Sequence, residues 1–233
     1  MIVFWHLLLG HLLADFVLKR KALKTKNIGY FVWRAGLYFI ALCLCCLNYI
    51  TLPWFEIAGR QFNGFYAAFV AALAYFAVGF LGRGVKIRRS ALFFFLARQF
   101  ILVSILLIIT PVLPFDGDFL HYIYGSDLLF IINSCIIVSY VLSAFLLRLS
   151  LALDERINIK AFFDRRFLSM LLRVVLFLLI LMPGWFGVLC AAVILICLFK
   201  TKLFEDGGFY FYTGCFITAA FAILCRGVFH GIC

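Results

Sequence analysis

The chain has 233 residues, of which 67% are hydrophobic and 13% are charged, and its mean hydropathy is +1.16. These values exclude an ordinary soluble domain and indicate an integral membrane protein. The formal net charge is +11. We attribute this charge to short basic loops at the membrane surface, which face anionic lipid headgroups. We do not attribute it to nucleic-acid binding, because these loops contain no recognisable nucleic-acid-binding module.

Eight apolar stretches approach the length of about 20 residues that a helix needs to cross the hydrocarbon core. The first, sixth and seventh are short, and only Pro183 and Gly184 separate the last two, which predicts a tight hairpin or a re-entrant element. The predicted fold is all-α, a polytopic transmembrane helical bundle of about eight spans, with a range of six to eight. The stretches lie near residues 2–18, 29–52, 65–82, 90–113, 128–148, 167–182, 185–199 and 208–225.

The basic residues predict an orientation. Sixteen of the 21 fall in the loops after the first, third, fifth and seventh stretches. Because cytoplasmic loops carry an excess of Lys and Arg, these loops are predicted to be cytoplasmic and both termini to lie outside. We divide the chain into a four-span region at residues 1–114 and a region of about four spans at residues 115–233.

The third stretch carries small residues at the spacing of one helical turn. Such residues let neighbouring helices approach closely, so this stretch is predicted to lie at the centre of the bundle. The residues are Ala67, Ala68, Ala71, Ala72, Ala74 and Ala77.

His11 and Asp15 are one turn apart near the end of the first stretch and are predicted to share a helix face. With Lys19 as the cytoplasmic edge, they lie about 12 and 6 Å deep. An ionisable pair at that depth is a candidate functional site, and imidazole with carboxylate is also a metal-ligand set. The predicted spans hold no second His, Asp or Glu cluster, so we favour a polar pair over a metal site and expect no cofactor.

Three arginines, Arg34, Arg98 and Arg173, interrupt otherwise apolar stretches. They lie about 9, 12 and 9 Å from the predicted cytoplasmic edge. Either they snorkel towards the interface, or one of them pairs with an acid and the rest face headgroups, an anionic ligand or water. Asp15 is the only acid at similar depth, so we predict that it pairs with Arg34 or Arg98. The candidate residues for an intramembrane polar site are His11, Asp15, Arg34, Arg98 and Arg173.

The run Gly10–Phe16, which reads GHLLADF, resembles the opening motif of a family of bacterial membrane proteins known as domain of unknown function 3307. The run Ala91–Gln99, ALFFFLARQ, is similar to the family's F-F-x-x-D-Q segment. The resemblance covers about the first 110 residues. It implies a helical membrane architecture and a bacterial inner membrane, but no activity.

The resemblance also implies further His and Asp residues, most of which are replaced in this chain. Only His11 and Asp15 remain. Because cations repel a divalent ion, any metal chemistry of the family is predicted to be lost. Arg34 stands where a His is expected, Ala74 and Val78 replace an H-x-x-x-D pair, Arg98 replaces the Asp before Gln, and Leu102 replaces another His.

The leading expectation is a non-enzymatic membrane module that scaffolds a partner, binds a lipid or anionic ligand, or perturbs the bilayer as an assembly. A transporter or channel is one alternative, suggested by Pro111, Pro114 and Pro183–Gly184. The other is a membrane-embedded enzyme acting on a lipid or isoprenoid, with His11 and Asp15 as acid/base or metal-binding residues and the arginines clamping phosphate. Membrane lipids are the expected partners, and a protein partner or a second copy is left open.

Overall fold

The computed structural model describes residues 2–18, 28–57, 59–82, 88–111, 119–152, 166–200 and 208–229. They are mostly helical, and the predicted all-α class is confirmed. Five helices in this part of the chain are long and apolar enough to cross a membrane: Ile28–Cys45, Gly64–Leu81, Leu92–Ile109, Asp127–Leu149 and Tyr210–Gly227. Three shorter apolar helices, Ile2–Val17, Phe167–Leu181 and Phe186–Cys197, correspond to the three stretches predicted to be short.

The helices are numbered here in chain order. Helix α1 (Ile2–Leu12) continues into a π-helical turn, Leu13–Val17, and α5 (Phe119–Ile136) is followed by a second π turn, Ile137–Val141. The others are α2 (Ile28–Cys45), α3 (Gly64–Leu81), α4 (Arg88–Ile109), α6 (Leu142–Ala152), α7 (Arg166–Leu181), α8 (Phe186–Lys200) and α9 (Gly208–Phe229).

The chain forms two compact units, Met1–Ser134 and Cys135–Cys233. The division predicted after residue 114 falls within residues 112–118, outside the described part of the chain. Each unit has its own buried residues, and the polar site predicted around Asp15 belongs to the first unit.

Helix α3 packs against α2 and α4 in the first unit. The central place predicted for this stretch in the bundle stays a prediction. Residues Ala67, Ala68, Ala71 and Ala72 of α3 are buried in the same core as residues of α1, α2 and α4. Small side chains on this face let α2 and α3 pack closely. Tyr75 follows Ala71 by one turn on the same face, so its large ring enters the core where the alanine stripe ends.

A β-hairpin between α2 and α3 corrects the predicted second stretch, which we placed at 29–52. Helix α2 ends at Cys45, and antiparallel strands β1 (Pro53–Ile57) and β2 (Arg60–Asn63) follow a series of turns. The indole N–H of Trp54 donates to the Tyr49 carbonyl at 2.8 Å, which holds the turns against the hairpin. Trp54 also covers Gly64, where a Cβ would lie 2.5 Å from the ring, so the start of α3 requires glycine.

In the second unit, a tight turn joins α7 to α8 at Pro183–Gly184. Gly184 has φ +78°, a conformation that favours glycine. A Cβ at Gly187 would clash with the Leu179 carbonyl oxygen, so the two helices meet closely beside the turn. The joined helices have 16 and 15 residues, fewer than the about 20 residues of a full span.

Candidate functional site

Asp15 lies in the π-helical turn at the end of α1. The Leu18 N–H donates to the Leu13 carbonyl at 2.8 Å, which is the i to i+5 bond of a π-helix. Single π turns of this kind are uncommon and frequently occur at functional sites. The Asp15 side chain is only 3% exposed, so its carboxylate is presented to the interior of the first unit.

Three helices supply donors to one oxygen of this carboxylate. Oδ1 of Asp15 accepts from Nη2 of Arg34 on α2 at 3.1 Å and from Nη2 of Arg98 on α4 at 2.8 Å. The Tyr75 hydroxyl on α3 donates to the same oxygen at 2.8 Å. The predicted pairing of Asp15 with Arg34 or Arg98 is therefore present, and it involves both arginines.

The second carboxylate oxygen begins a chain of buried hydrogen bonds. Nε2 of Gln99 donates to Oδ2 of Asp15 at 2.7 Å, and Oε1 of Gln99 lies 2.9 Å from Nε2 of His11. Nδ1 of His11 lies 3.1 Å from the Tyr38 hydroxyl. Because the Gln99 oxygen accepts, Nε2 of His11 carries a proton, and in the neutral imidazole Nδ1 then accepts from the Tyr38 hydroxyl. Every donor in this chain points towards Asp15.

His11 and Asp15, which were predicted to share a helix face, thus belong to one network, in which Gln99 bridges them. His6, which lies on another face of α1, donates from Nδ1 to the Ile2 carbonyl at 3.0 Å and packs edge-on against Tyr49. These two partners lie outside the Asp15 network, in agreement with the position of His6 on the helix.

Stacked tyrosines cover the charged groups. The rings of Tyr38 and Tyr75 lie 4.3 Å apart and 18° from parallel. The guanidinium carbons of Arg98 and Arg34 lie 4.8 and 5.6 Å from the centroid of Tyr75. Tyr75 therefore contacts Asp15 through its hydroxyl and both arginines through its ring, where cation–π attraction stabilises the positive charge.

The exposure of these groups differs in a way that decides which of them a ligand meets. Asp15 is 3% exposed and His11 is fully buried, whereas the side chains of Arg34 and Arg98 are 15% and 14% exposed. Among the described residues, two arginines and one aspartate, with His11 neutral, give this cluster a charge of +1. A group approaching from the accessible side meets the guanidinium groups first.

Arg173 lies in the second unit and is buried, with 3% of its surface exposed. Its Nε donates to the Ser169 carbonyl at 3.1 Å, and its Nη2 donates to the Ser143 hydroxyl at 2.7 Å. The snorkelling alternative does not describe this side chain, because it is held among serine oxygens inside the unit.

Three residues of the Asp15 network were missed from the sequence: Tyr38, Tyr75 and Gln99. Tyrosine is common near span ends, and this hides tyrosines that lie inside a span. Two signals were nevertheless present. Tyr38 follows Arg34 by one turn, and Gln99 is a polar residue beside Arg98 within an apolar helix.

Metal ligands are not grouped in the part of the chain that the structure describes: no set of three or more His, Cys, Asp or Glu residues is placed to hold an ion. Eight cysteines of these segments are free thiols, and Cys233 lies outside them. The chemistry that the Asp15 network offers is therefore that of two guanidinium groups held in place by a carboxylate, since these are its accessible charged groups.

Comparisons of the chain with protein families, with curated proteins and with solved structures found no match.

Proposed function

We propose that the chain is an integral membrane module that binds an anionic, phosphate-bearing ligand through Arg34 and Arg98 and catalyses no reaction. One observation carries this proposal. The two arginines share a single carboxylate, at 3.1 and 2.8 Å, within an apolar helical unit. The described groups of the cluster keep a charge of +1, and because an uncompensated charge in an apolar environment is unfavourable, a bound anion stabilises it.

Phosphate fits the donors that remain. A guanidinium group has five N–H donors in a fixed plane, and it binds phosphate oxygens in pairs. Nη2 of each arginine donates to Asp15, and these bonds also fix the orientation of both side chains. Nε of Arg98 is buried and has no hydrogen-bond partner among the described residues, so the donors open to a phosphate are other N–H groups of the two arginines. The carboxylate is thus assigned a positioning role, and the arginines are assigned the binding role.

The enzyme alternative has less support. A proton-transferring group must reach the bound ligand. His11 is fully buried, and its two ring nitrogens are engaged with Gln99 and Tyr38. In this arrangement His11 holds Gln99, and Gln99 holds Asp15.

The same proposal includes the orientation and location inferred from the sequence. Sixteen basic residues in alternate loops support a cytoplasmic face for those loops, with both termini outside. The GHLLADF motif supports a relationship to the domain of unknown function 3307 family and, through it, a bacterial inner membrane. The arginines then lie in the half of the bilayer that contains the basic loops.

Thermal unfolding in a neutral detergent tests the binding proposal. A ligand that binds only the folded chain raises Tm by mass action. We expect anionic phosphatidylglycerol to raise Tm and zwitterionic phosphatidylcholine to leave it unchanged. Arg34→Gln should reduce the increment caused by phosphatidylglycerol.

Arg60→Gln is the matched control. Arg60 is an exposed arginine on β2, and it is not one of the described residues that donate to Asp15. This variant removes the same charge, and its increment should equal that of the unmodified chain. Equal increments in all three proteins, or none in the unmodified chain, contradict the proposal.

A further inference from the structure

The helical hairpin of α7 and α8 in the second unit has an exposed apolar face along both of its helices. On α7 the exposed residues recur every three or four positions, so they share one face of the helix. They are Leu171, Val175, Leu178 and, at the start of the turn, Met182. On α8 the corresponding residues are Phe186, Leu189, Val193 and Ile196. A long exposed face of this composition suits contact with the acyl chains of a bilayer.

Helix α9 packs beside α7 and runs in the same direction. The rings of Phe177 on α7 and Phe221 on α9 stack with their centroids 6.0 Å apart. Further along both helices, Nη1 of Arg226 donates to the Ile180 carbonyl at 3.2 Å. Arg226 therefore lies at the level where α7 ends and the turn of the hairpin begins.

The turn of the hairpin is polar, although the helices on either side of it are apolar. Nη2 of Arg226 donates to the Gly184 carbonyl at 2.8 Å. The guanidinium carbon of Arg226 lies 5.8 Å from the ring centroid of Trp185, which is 78% exposed. An indole next to a guanidinium group is typical of the membrane–water interface. This end of the hairpin therefore suits a membrane surface and not the hydrocarbon core.

The opposite end of the hairpin is marked by basic residues in the sequence. Arg165 and Arg166 precede the apolar part of α7, and Lys200 and Lys202 follow that of α8. Between these two ends, the 16 residues of α7 extend over about 24 Å. The hydrocarbon core of a typical bilayer is about 30 Å thick. The hairpin is therefore shorter than the bilayer by about 6 Å.

Helix α9 gives a second measure of the same distance. In the sequence, Glu205 and Asp206 lie immediately before this helix. From Gly208 to Arg226 the helix axis extends over about 27 Å. Any tilt of these helices from the membrane normal shortens the thickness that they span. Both measures thus give a polar-to-polar distance below the usual thickness of the core.

We propose that the α7–α8 hairpin crosses the bilayer, with its turn at one surface and its basic ends at the other, and thins the hydrocarbon around it. A bilayer accommodates a short apolar segment by local thinning, which has a modest free-energy cost for each ångström of mismatch. The partner of the exposed face is therefore a bilayer with short acyl chains. Only the second unit and the membrane location of the chain are needed here, so Arg34 and Arg98 play no part.

Cysteine probes along α7 test whether the hairpin crosses. Phe167→Cys, Val175→Cys and Trp185→Cys place a thiol at the basic end, at the middle of the exposed face and at the turn. Each variant is prepared in a Cys233→Ser background and reconstituted in dioleoyl phosphatidylcholine vesicles, and the background alone measures labelling of the other cysteines. A water-soluble maleimide is equilibrated to both sides of the vesicles by freeze–thaw, so the result does not depend on the orientation of the chain.

We expect the probes at positions 167 and 185 to react on the order of tenfold faster than the probe at position 175, because the thiolate that reacts forms in water and not in hydrocarbon. Val175→Cys is the matched control, since Val175 is also exposed and lies on the same helix. A probe at position 185 that reacts as slowly as the probe at position 175 would mean that the turn stops within the membrane as a re-entrant element. Rapid reaction at all three positions would place the hairpin outside the hydrocarbon. Either result overturns the proposal.

The unmodified chain tests the thinning without any substitution. Its Tm is measured in vesicles of dimyristoleoyl, dioleoyl and dierucoyl phosphatidylcholine, whose acyl chains increase in length in that order. Because the mismatch grows with thickness, Tm should be highest in the first lipid and fall by several degrees towards the last. The three lipids share one headgroup, so phosphate binding by Arg34 and Arg98 does not contribute to the difference. A Tm that is independent of acyl length, as expected if a second copy covers the exposed face, or that is highest in the longer lipids, overturns the proposal.

Discussion

Arg98 and Asp15 are 83 positions apart in the sequence, and Nη2 of Arg98 lies 2.8 Å from Oδ1 of Asp15. Arg34 and Tyr75 donate to the same oxygen, at 3.1 and 2.8 Å. One buried carboxylate on the π turn after α1 therefore connects that turn to α2, α3 and α4. The stability of the first unit should therefore depend on the negative charge of the Asp15 side chain more than on the size of that side chain.

Asp15→Asn tests this dependence, because asparagine preserves the shape and removes the negative charge. Two half-buried arginines then lose their counter-ion. Breaking a buried ion pair on one side costs about 3–5 kcal/mol, whereas an exposed pair contributes about 0–1 kcal/mol. We expect a clear decrease in the Tm of the purified protein in detergent. An unchanged Tm would show that Asp15 is solvated.

The coupling between Asp15 and Arg98 is measured by a double-mutant cycle. Arg98→Leu in the Asp15→Asn background removes one of the two charges left without a counter-ion, so part of the lost stability should return. The sum of the single changes should therefore exceed the effect of the double change. Strictly additive effects would mean that the two residues act independently, which contradicts the network.

Tyr75→Phe separates the hydroxyl from the ring. The variant loses the donor to Asp15 and keeps the aromatic face beneath both arginines. A hydrogen bond to a charged group contributes about 1.5–3 kcal/mol, and we expect a destabilisation of that size in chemical or thermal unfolding. Tyr66→Phe is the control, because Tyr66 is 52% exposed on the same helix and should change stability by less than about 0.5 kcal/mol.

Arg226 on α9 holds the end of α7 and the turn that follows. Its Nη1 donates to the Ile180 carbonyl at 3.2 Å, and its Nη2 donates to the Gly184 carbonyl at 2.8 Å. Arg226→Met removes both bonds from the C-terminal end of a helix, where a positive charge is favourable. Because its guanidinium is partly exposed, we expect a smaller loss than for Asp15→Asn, about 1–2 kcal/mol in thermal unfolding. An equal effect of Arg60→Met would show that the loss of charge, and not the lost hydrogen bonds, is responsible.

The sequence predicted the helices well, because apolar runs bounded by charges mark membrane spans. The predicted end of α2 was wrong because Leu47, Leu52 and their neighbours are as apolar as the helix itself. The turn there is stabilised by the Trp54 indole and by its contact with Gly64, which join residues of different elements. Such contacts leave no periodic signal in the sequence.

The charged part of the site could be predicted by elimination, since Asp15 is the only acid at the depth of the arginines. The neutral part could not. Tyr75 and Gln99 carry no charge that requires a partner. Neither their positions in the sequence nor their depth in the membrane therefore identifies the groups that they contact. The π turn at Leu13–Val17 also has no composition of its own, and it is visible only as the i to i+5 hydrogen bond of the folded helix.

The orientation of the chain is tested by cysteine labelling. Lys86→Cys and Gly117→Cys are prepared separately in a Cys233→Ser background, and that background alone measures labelling of the remaining cysteines. Both positions lie outside the described residues, and the prediction rests on the basic residues of alternate loops. A membrane-impermeant maleimide added to intact cells should label the probe at position 117 and leave the probe at position 86 unlabelled until the membrane is permeabilised. The reverse pattern would place Arg34 and Arg98 in the opposite leaflet, and the anionic headgroups of the cytoplasmic surface could then no longer be the groups that they bind.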